Sequence, residues 1–241
     1  MSTIVTATMD PNPTVQSTSV RLARRPAGLP VADDWSVVTE PAPAPAEGEV
    51  LVRTSLISLD PAMRGWLDDR PSYLPPVALG DVMRAATVGT VVASRNRRFP
   101  EGCVVVGNLG VQEYAVSNGR DVTIVDERLG SPSAYLGLLG TTGLTAYFGL
   151  FEHGRPRAGD TVLVSAAAGG VGSVVGQLAR LSGARVVGIA GGPDKCRFVV
   201  DELGFDDVID YKSEKLRAAI ARTCPDGIDV YFDNVGGPIL N

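Results

Sequence analysis

Histidine and cysteine, the residues on which most zinc sites depend, are scarce in this sequence. His153 is the only histidine, and Cys103, Cys196 and Cys224 lie far apart, with no Cys-x-x-Cys pair. Because a zinc site needs a cluster of such ligands, we expect no metal centre. Dispersed cysteines also argue against a disulfide framework and are typical of a protein in a reducing cytoplasm, the location that we expect.

Long apolar runs and an excess of basic residues are absent as well. No apolar run approaches the length of a membrane span, so we expect no membrane partner. The 22 basic and 27 acidic residues give a net charge of -5, and the basic residues are scattered, which argues against a nucleic-acid partner. The Ser/Thr-rich N-terminus lacks the basic start and apolar core of a signal peptide, and we expect residues 1–19 to form a flexible extension.

What the sequence does contain, in residues 20–131, is a series of short β-strand patterns separated by turns. We predict strands at 35–39, 49–59, 87–94, 103–107 and 112–116, and a helix that begins at Pro61 with Asp60 as its cap. A Pro-rich connector at 41–48 cannot continue a helix. Short strands spaced by turns indicate a small, partly open β-barrel.

The pattern changes near Ser131-Pro132, where we place a domain boundary, so that residues 132–241 form a second domain. Residues 133–151 have helical periodicity, interrupted at 140–143. Strands and helices then alternate, with strands predicted at 161–165, 185–190, 207–209 and 228–233 and helices at 173–182, 194–203 and 213–223. This alternation predicts a parallel sheet, so the fold class is α/β.

The most informative stretch is TVLVSAAAGGVG, at 161–172. A buried strand is followed by small residues and then by a helix, which is the setting of a dinucleotide fingerprint. Gly169 and Gly172 occupy the second and third glycine positions of G-x-G-x-x-G, and Ala167 replaces the first. The amide groups of Gly169, Gly170, Val171 and Gly172 would then face a pyrophosphate. The alternative is a tight turn in an ordinary α/β domain.

The next predicted strand favours NADP over NAD. An NAD enzyme usually carries an acidic residue at the end of this strand, where it binds the ribose 2′-hydroxyl. Here the strand runs into Ala190-Gly191-Gly192, and Lys195 follows one residue after Asp194. A lysine supplies the counter-charge for a 2′-phosphate. The alternative for Lys195 is an ordinary solvated side chain at a helix start.

Six segments together resemble the zinc-free, NADPH-dependent branch of the medium-chain dehydrogenase/reductase superfamily. They are LDPAMRGW (59–66), LGTTGLTAYFGL (139–150), AAAGGVGSVVGQLA (166–179), GIAGGPDKCRF (188–198), DYKSE (210–214) and YFDNVGG (231–237). The resemblance implies a GroES-like, partly open β-barrel domain and a Rossmann domain that binds NADP(H). It implies that Lys195 meets the 2′-phosphate, Tyr211 lies by the adenosine and Asn234 lies near the nicotinamide half. It also implies that Thr141 and Thr145 border the cofactor. The alternatives are a strand-end aromatic for Tyr211 and a turn-forming residue for Asn234.

The chain departs from the family in two ways. Relatives commonly have tyrosine at the position of Ala62, so the substrate pocket is expected to be wider or differently shaped. The family also continues beyond the position of Asn241, so the Rossmann sheet is expected to be incomplete here. An incomplete sheet would expose an apolar edge, through which a homodimer could form.

The resemblance implies reduction of an activated carbon–carbon double bond. NADPH would deliver hydride to the β-carbon of an α,β-unsaturated aldehyde or ketone, and no residue is assigned as the general acid. Tyr114 is equally well interpreted as a strand aromatic. Two alternatives stay open: a quinone reductase of the same fold, and a truncated, non-catalytic NADP-binding or interaction protein.

Overall fold

The structure, a computed structural model, describes residues 15–240, apart from the side chain of Pro238. The chain divides into two compact units, and the first ends at Leu136. The strands and the helix of the first unit are β1 (Gln16–Leu22), β2 (Trp35–Pro41), β3 (Val50–Ile57), α1 (Ala62–Gly65), β4 (Thr87–Ser94), β5 (Val104–Gly107), β6 (Tyr114–Ser117) and β7 (Val122–Ile124). Short 3₁₀ helices span Ala32–Asp34 and Pro132–Leu136.

Five strands of the first unit form one antiparallel sheet in the order β6-β3-β4-β5-β7. Val50 and Val52 of β3 point to the same side of this sheet as Val91 and Val105, and all four side chains are buried in one apolar cluster. The cluster follows from the alternation of β-branched residues, which puts every second side chain on one face. The small, partly open β-barrel predicted from the sequence is confirmed as this antiparallel sheet.

The first unit contains β7, which the sequence analysis did not predict, and it differs from the predictions at its start and at the α1 cap. Strand β1 begins at Gln16 and pairs with β2, so the predicted extension of residues 1–19 overlaps a strand; residues 1–14 lie outside the described residues. Asp60 makes no side-chain cap for α1, whose cap position is Pro61. The Asp60 carboxylate instead accepts a hydrogen bond from Ser58 Oγ at 2.8 Å.

The second unit contains a four-stranded parallel sheet with helices between its strands. Its elements are α2 (Thr141–Phe148), β8 (Thr161–Val164), α3 (Gly170–Leu181), β9 (Arg185–Ala190), α4 (Pro193–Arg197), β10 (Asp207–Asp210), α5 (Leu216–Thr223), β11 (Val230–Phe232) and α6 (Gly237–Leu240). Two π-helical segments, Gly149–Gly154 and Phe198–Glu202, follow α2 and α4.

Strand β8 is buried on both faces, as expected for a central strand of a parallel sheet. Val162 and Val164 point into an apolar cluster shared with Val175 of α3, whereas Leu163 points into a second cluster shared with Ala219 of α5. Successive side chains of a strand point to opposite faces, so a continuous apolar run lets β8 anchor helices on both sides. The parallel α/β sheet predicted from the sequence is confirmed.

Among residues 15–240, no helix is both long enough and apolar enough to cross a membrane.

Candidate cofactor site

The order of the parallel strands, β10-β9-β8-β11, creates a point where the direction of strand addition reverses. Strands β9 and β10 are added on one side of β8, and β11 is added on the other. In open α/β sheets, ligands bind outside the carboxyl ends of the strands at such a switch point. The carboxyl ends of β8 and β11 meet here, where the amide of Ser165 donates to the carbonyl of Phe232 over 3.1 Å.

The turn that leaves β8 is tight and depends on small residues. Ala166 has a φ of 48°, a left-handed conformation that few residues other than glycine adopt, and its carbonyl accepts a hydrogen bond from Gly169 N at 2.8 Å. A Cβ at Gly172 would lie 2.3 Å from the Ala166 oxygen and 3.0 Å from the Ala167 Cα. Only glycine therefore lets the first turn of α3 pack this closely on the end of β8.

The start of α3 offers free hydrogen-bond donors at the switch point. Gly169 is the cap residue, and Gly170, Val171 and Gly172 form the first turn of a twelve-residue helix. The first amide groups of a helix have no acceptor within the helix, and the aligned peptide dipoles add partial positive charge. Such a terminus can bind a phosphate group, and the four predicted residues all lie in it.

Helix α2 borders the same turn, through a residue that the sequence analysis did not select. A Cβ at Gly170 would lie 3.3 Å from Thr142 Cγ2, so the Thr142 side chain sits against the glycine turn. Of the two predicted threonines, Thr141 is the exposed first residue of α2, and Thr145 is exposed one turn further along. In the sequence, the one indication of a role for Thr142 was its position next to Thr141 in the segment LGTTGLTAYFGL (139–150).

A second group of predicted residues surrounds the end of β9. A Cβ at Gly191 would lie 2.7 Å from the Tyr211 ring, so this ring lies directly against the Gly191 backbone. The Asp210 carboxylate accepts hydrogen bonds from the amides of Gly192 (2.8 Å) and Lys212 (3.0 Å). These two bonds, the Gly192 bond first, hold the pKa of Asp210 below its usual value. They also fix the position of Tyr211 relative to the β9 end.

Lys195 lies three residues beyond Gly192, in the short helix α4, and its side chain is exposed. Its neighbours Asp194 and Arg197 form an ion pair with each other. Within residues 15–240, no carboxylate oxygen lies within 4.0 Å of the Lys195 ammonium group. This lysine therefore keeps its charge available for an anionic ligand.

Asn234 follows β11 and forms two hydrogen bonds to Ser165, which directly follows β8. Its backbone amide donates to Ser165 Oγ at 2.7 Å, and its side-chain Nδ2 donates to the Ser165 carbonyl at 2.9 Å. The predicted residue thus lies at the switch point, beside the turn that contains the glycines.

Asp233 and Ser165 form a polar centre beneath this edge, and the sequence analysis selected neither of them. The Asp233 Oδ1 accepts hydrogen bonds from Ser165 Oγ (2.8 Å), Tyr231 OH (3.1 Å) and Val235 N (3.2 Å), and its Oδ2 accepts from Gly236 N at 2.7 Å. Burial alone would raise the pKa of Asp233, but these hydrogen bonds outweigh burial and lower it. Burial, chiefly, raises the pKa of Tyr231. In the sequence, the available indication was that each residue directly follows a strand, Ser165 after β8 and Asp233 after β11.

The predicted residues thus fall into two groups along one edge of the parallel sheet. The glycine turn and Asn234 lie at the ends of β8 and β11, and Lys195 and Tyr211 follow the ends of β9 and β10. Thr141 and Thr145 lie on α2, which contacts the glycine turn through Thr142. Tyr114, by contrast, is a half-buried residue of β6 in the first unit. Across the described part of the chain, no three His, Cys, Asp or Glu residues come together in a group that could hold a metal ion.

Two family models match this chain. The model described as "N-terminal domain of oxidoreductase" matches residues 18–125. The model described as "Zinc-binding dehydrogenase" matches residues 170–241. The first match lies in the antiparallel unit, and the second covers the parallel sheet from the start of α3 onward.

Individual proteins are similar over almost the whole chain. It is 44% identical over 220 residues to the NADPH-dependent curcumin reductase of Escherichia coli (strain K12), and 40% identical over 231 residues to prostaglandin reductase 1 of Mus musculus. These matches cover 91% and 94% of this chain and 64% and 68% of those proteins. The crystal structure of CurA in complex with NADPH from Vibrio vulnificus matches with a TM-score of 0.88 and 45% identity, over 92% of this chain and 66% of that one. The chain therefore spans about two thirds of the length of the relatives that it matches.

Proposed function

This chain belongs to the medium-chain dehydrogenase/reductase superfamily, in the branch of the curcumin and prostaglandin reductases, and from that premise we propose that it is an NADPH-dependent reductase of activated carbon–carbon double bonds. The substrate class is α,β-unsaturated aldehydes and ketones. The observation that carries the proposal is the glycine-lined start of α3 at the switch point of the parallel sheet.

We assign residues at this edge to the successive parts of NADPH. The segment Gly169, Gly170, Val171 and Gly172 is suited to the pyrophosphate, because the first-turn amides of Gly170, Val171 and Gly172 have no acceptor within the helix and the three glycines let a ligand approach the backbone. Asn234, at the end of β11, is assigned to the nicotinamide half, and Thr141 and Thr145 border the cofactor.

The end of β9 supplies the preference for NADPH. Lys195 is assigned to the 2′-phosphate and Tyr211 to the adenosine side. An exposed lysine without a carboxylate partner attracts a phosphate, whereas an acidic residue at the same place would repel it. Gly191 lets the Tyr211 ring lie directly against the backbone at the end of β9.

When bound, NADPH supplies the hydride, and the residues of this chain bind and orient it. The structural task of the Asp233–Ser165 centre is to hold the ends of β8 and β11 in a fixed relation, so that the glycine turn and Asn234 keep their positions. The enolate that develops on the substrate requires hydrogen-bond donors or positive charge near the carbonyl oxygen. The proton donor for the α-carbon stays unassigned.

Two of the relatives support a C=C reductase in particular. One is a curcumin reductase and the other a prostaglandin reductase, and both are similar to this chain over more than nine tenths of its length. Substrates of this chain are expected to share the conjugated carbonyl group rather than the rest of those molecules.

The test measures NADPH oxidation in the presence of enals, enones or quinones. Product analysis then shows whether the saturated carbonyl compound has formed. We expect turnover of enals and enones with loss of the C=C bond. Turnover of quinones alone would identify a quinone reductase of the same fold. Saturable NADPH binding without turnover of any compound would identify a non-catalytic NADP-binding protein and overturn the proposal.

A further inference from the structure

The first unit contains an arginine that is fixed in position but has no acidic partner. The Arg84 guanidinium lies 5.3 Å from the centre of the Trp66 ring, and its Nη1 donates to the Pro75 carbonyl at 3.1 Å. The side chain is half-buried. Within the described residues, no carboxylate oxygen lies within 4.0 Å of it. Its remaining N–H groups are therefore held at a defined place without a charged acceptor.

Nearby arginines differ from Arg84, because a carboxylate already compensates them. The Asp68 carboxylate forms ion pairs with Arg64 and Arg70. Its Oδ1 lies 2.7 Å from Arg64 Nη1, and its Oδ2 lies 3.0 Å from Arg70 Nη2. These arginines, with Arg25, also lower the pKa of Asp68, the hydrogen bond from Arg64 being the main cause. Arg84, unlike Arg64 and Arg70, therefore has no carboxylate partner, and its charge matches a ligand with one negative charge.

Two aromatic side chains extend the surface around Arg84. Trp66 Nε1 donates to the hydroxyl oxygen of Tyr73 at 3.2 Å, so the Tyr73 O–H hydrogen is free to donate to a ligand. Tyr73 is 75% exposed. Trp66 also packs on a buried cluster that contains Leu67 and Val77, which holds its ring in place. The arrangement is an aromatic surface with two donors at its edge.

We propose that Arg84, Trp66 and Tyr73 form a binding site for a small aromatic or conjugated carboxylic acid. The planar guanidinium fork can bind both oxygens of a carboxylate, the Tyr73 hydroxyl adds a donor, and the aromatic rings contact the flat body of the ligand. A phosphate dianion fits less well, because Arg84 supplies a single positive charge. The site lies wholly in the first unit, and binding there requires neither NADPH nor turnover.

The experiment uses 3-phenylpropanoate, which has no double bond to reduce, and its neutral amide, 3-phenylpropanamide. In a Trp35→Phe background, Trp66 is the only tryptophan and its fluorescence reports binding directly. We expect saturable binding of the acid at low salt, and about tenfold weaker binding of the amide, as for loss of a charge-assisted hydrogen bond. Added salt should weaken binding of the acid and leave binding of the amide unchanged.

Two arginine variants locate the effect. The Arg84→Met variant should bind the acid only as tightly as it binds the amide. Arg98→Met is the matched control, because Arg98 also lies 5.3 Å from an aromatic ring, that of Phe99, and it should leave the affinity unchanged. Arg84→Lys keeps the charge without the fork and should bind the acid with intermediate affinity, which provides a second test if Arg84→Met folds poorly.

Equal affinity for acid and amide would overturn the proposal, as would acid binding that Arg84→Met leaves intact. Displacement of the acid by inorganic phosphate at equal concentration would also overturn the choice of a carboxylate. Because no NADPH is present, these outcomes are independent of the reductase proposal.

Discussion

Ser165 donates a hydrogen bond from its hydroxyl to the Asp233 carboxylate over 2.8 Å, although the two residues are 68 positions apart. The bond joins the ends of β8 and β11, and Asn234 N returns a hydrogen bond to the same hydroxyl. Ser165 is completely buried, so water does not compete for these bonds. The carboxyl edge of the sheet is therefore held by a polar contact as well as by apolar packing.

Asp233→Asn should weaken NADPH binding about tenfold, because an amide NH₂ cannot accept from donors that now point at both carboxylate oxygens. The measurement is a titration with NADPH. Asp229→Asn is the matched control: the Asp229 carboxylate accepts from Thr161 N at 2.8 Å, at the opposite end of β8. This variant should leave the NADPH affinity unchanged, and equal losses in the two variants would mean that Asp233 acts through overall stability.

The Asp233 centre also predicts a dependence of stability on pH. The folded state lowers the pKa of Asp233, so its contribution to the free energy of unfolding is present above the unfolded pKa of about 4 and is lost as the pH falls through the folded value. Urea unfolding of the wild type and of Asp233→Asn should differ most near neutral pH. The difference should shrink below about pH 4. A difference that grows on acidification would contradict this account.

Lys195→Ala should weaken NADPH binding by about 1–3 kcal/mol and leave NADH binding almost unchanged, because only NADPH carries the 2′-phosphate. The measurement is a titration of both cofactors. Lys215→Ala removes another exposed lysine and serves as the control. If Lys195→Ala lowers both affinities equally, the lysine acts on folding rather than on the phosphate.

Gly172→Ala should destabilise the second unit by about 1–3 kcal/mol and reduce NADPH affinity, because the added methyl group would meet backbone atoms that cannot move aside. Chemical denaturation and cofactor titration measure the two effects. Gly28→Ala is the control, since an added methyl group there meets nothing within 4 Å. Wild-type stability and affinity in Gly172→Ala would show that the turn can relax.

The sequence predicts the second unit well because its signals are local. Strand β9 spans the predicted residues 185–190, and the glycine turn has the predicted strand–turn–helix setting. Helix α3 begins at Gly170 rather than at residue 173, because small residues can enter the first turn although their helix propensity is low. The predicted helix at 194–203 divides into α4 and a π-helical segment.

The features that the sequence did not reveal depend on contacts between distant segments. Strand β1 lacks an apolar alternation, because its inner face carries Ser17 and Ser19, and Ser17 Oγ accepts a hydrogen bond from Tyr114 N at 3.2 Å. The Asp233–Ser165 bond cannot be inferred before the pairing of β8 with β11 is known. Local patterns specify strands and helices, whereas these polar contacts follow only from the topology.

The central claim is that the carboxyl edge of the second unit's sheet is an NADPH site, and a titration of this chain with NADPH and with NADH tests it most directly. We predict saturable binding with a clear preference for NADPH, which is lost in Lys195→Ala. Equal affinity for the two cofactors, or a preference for NADH, would contradict the assignment of Lys195 and the end of β9.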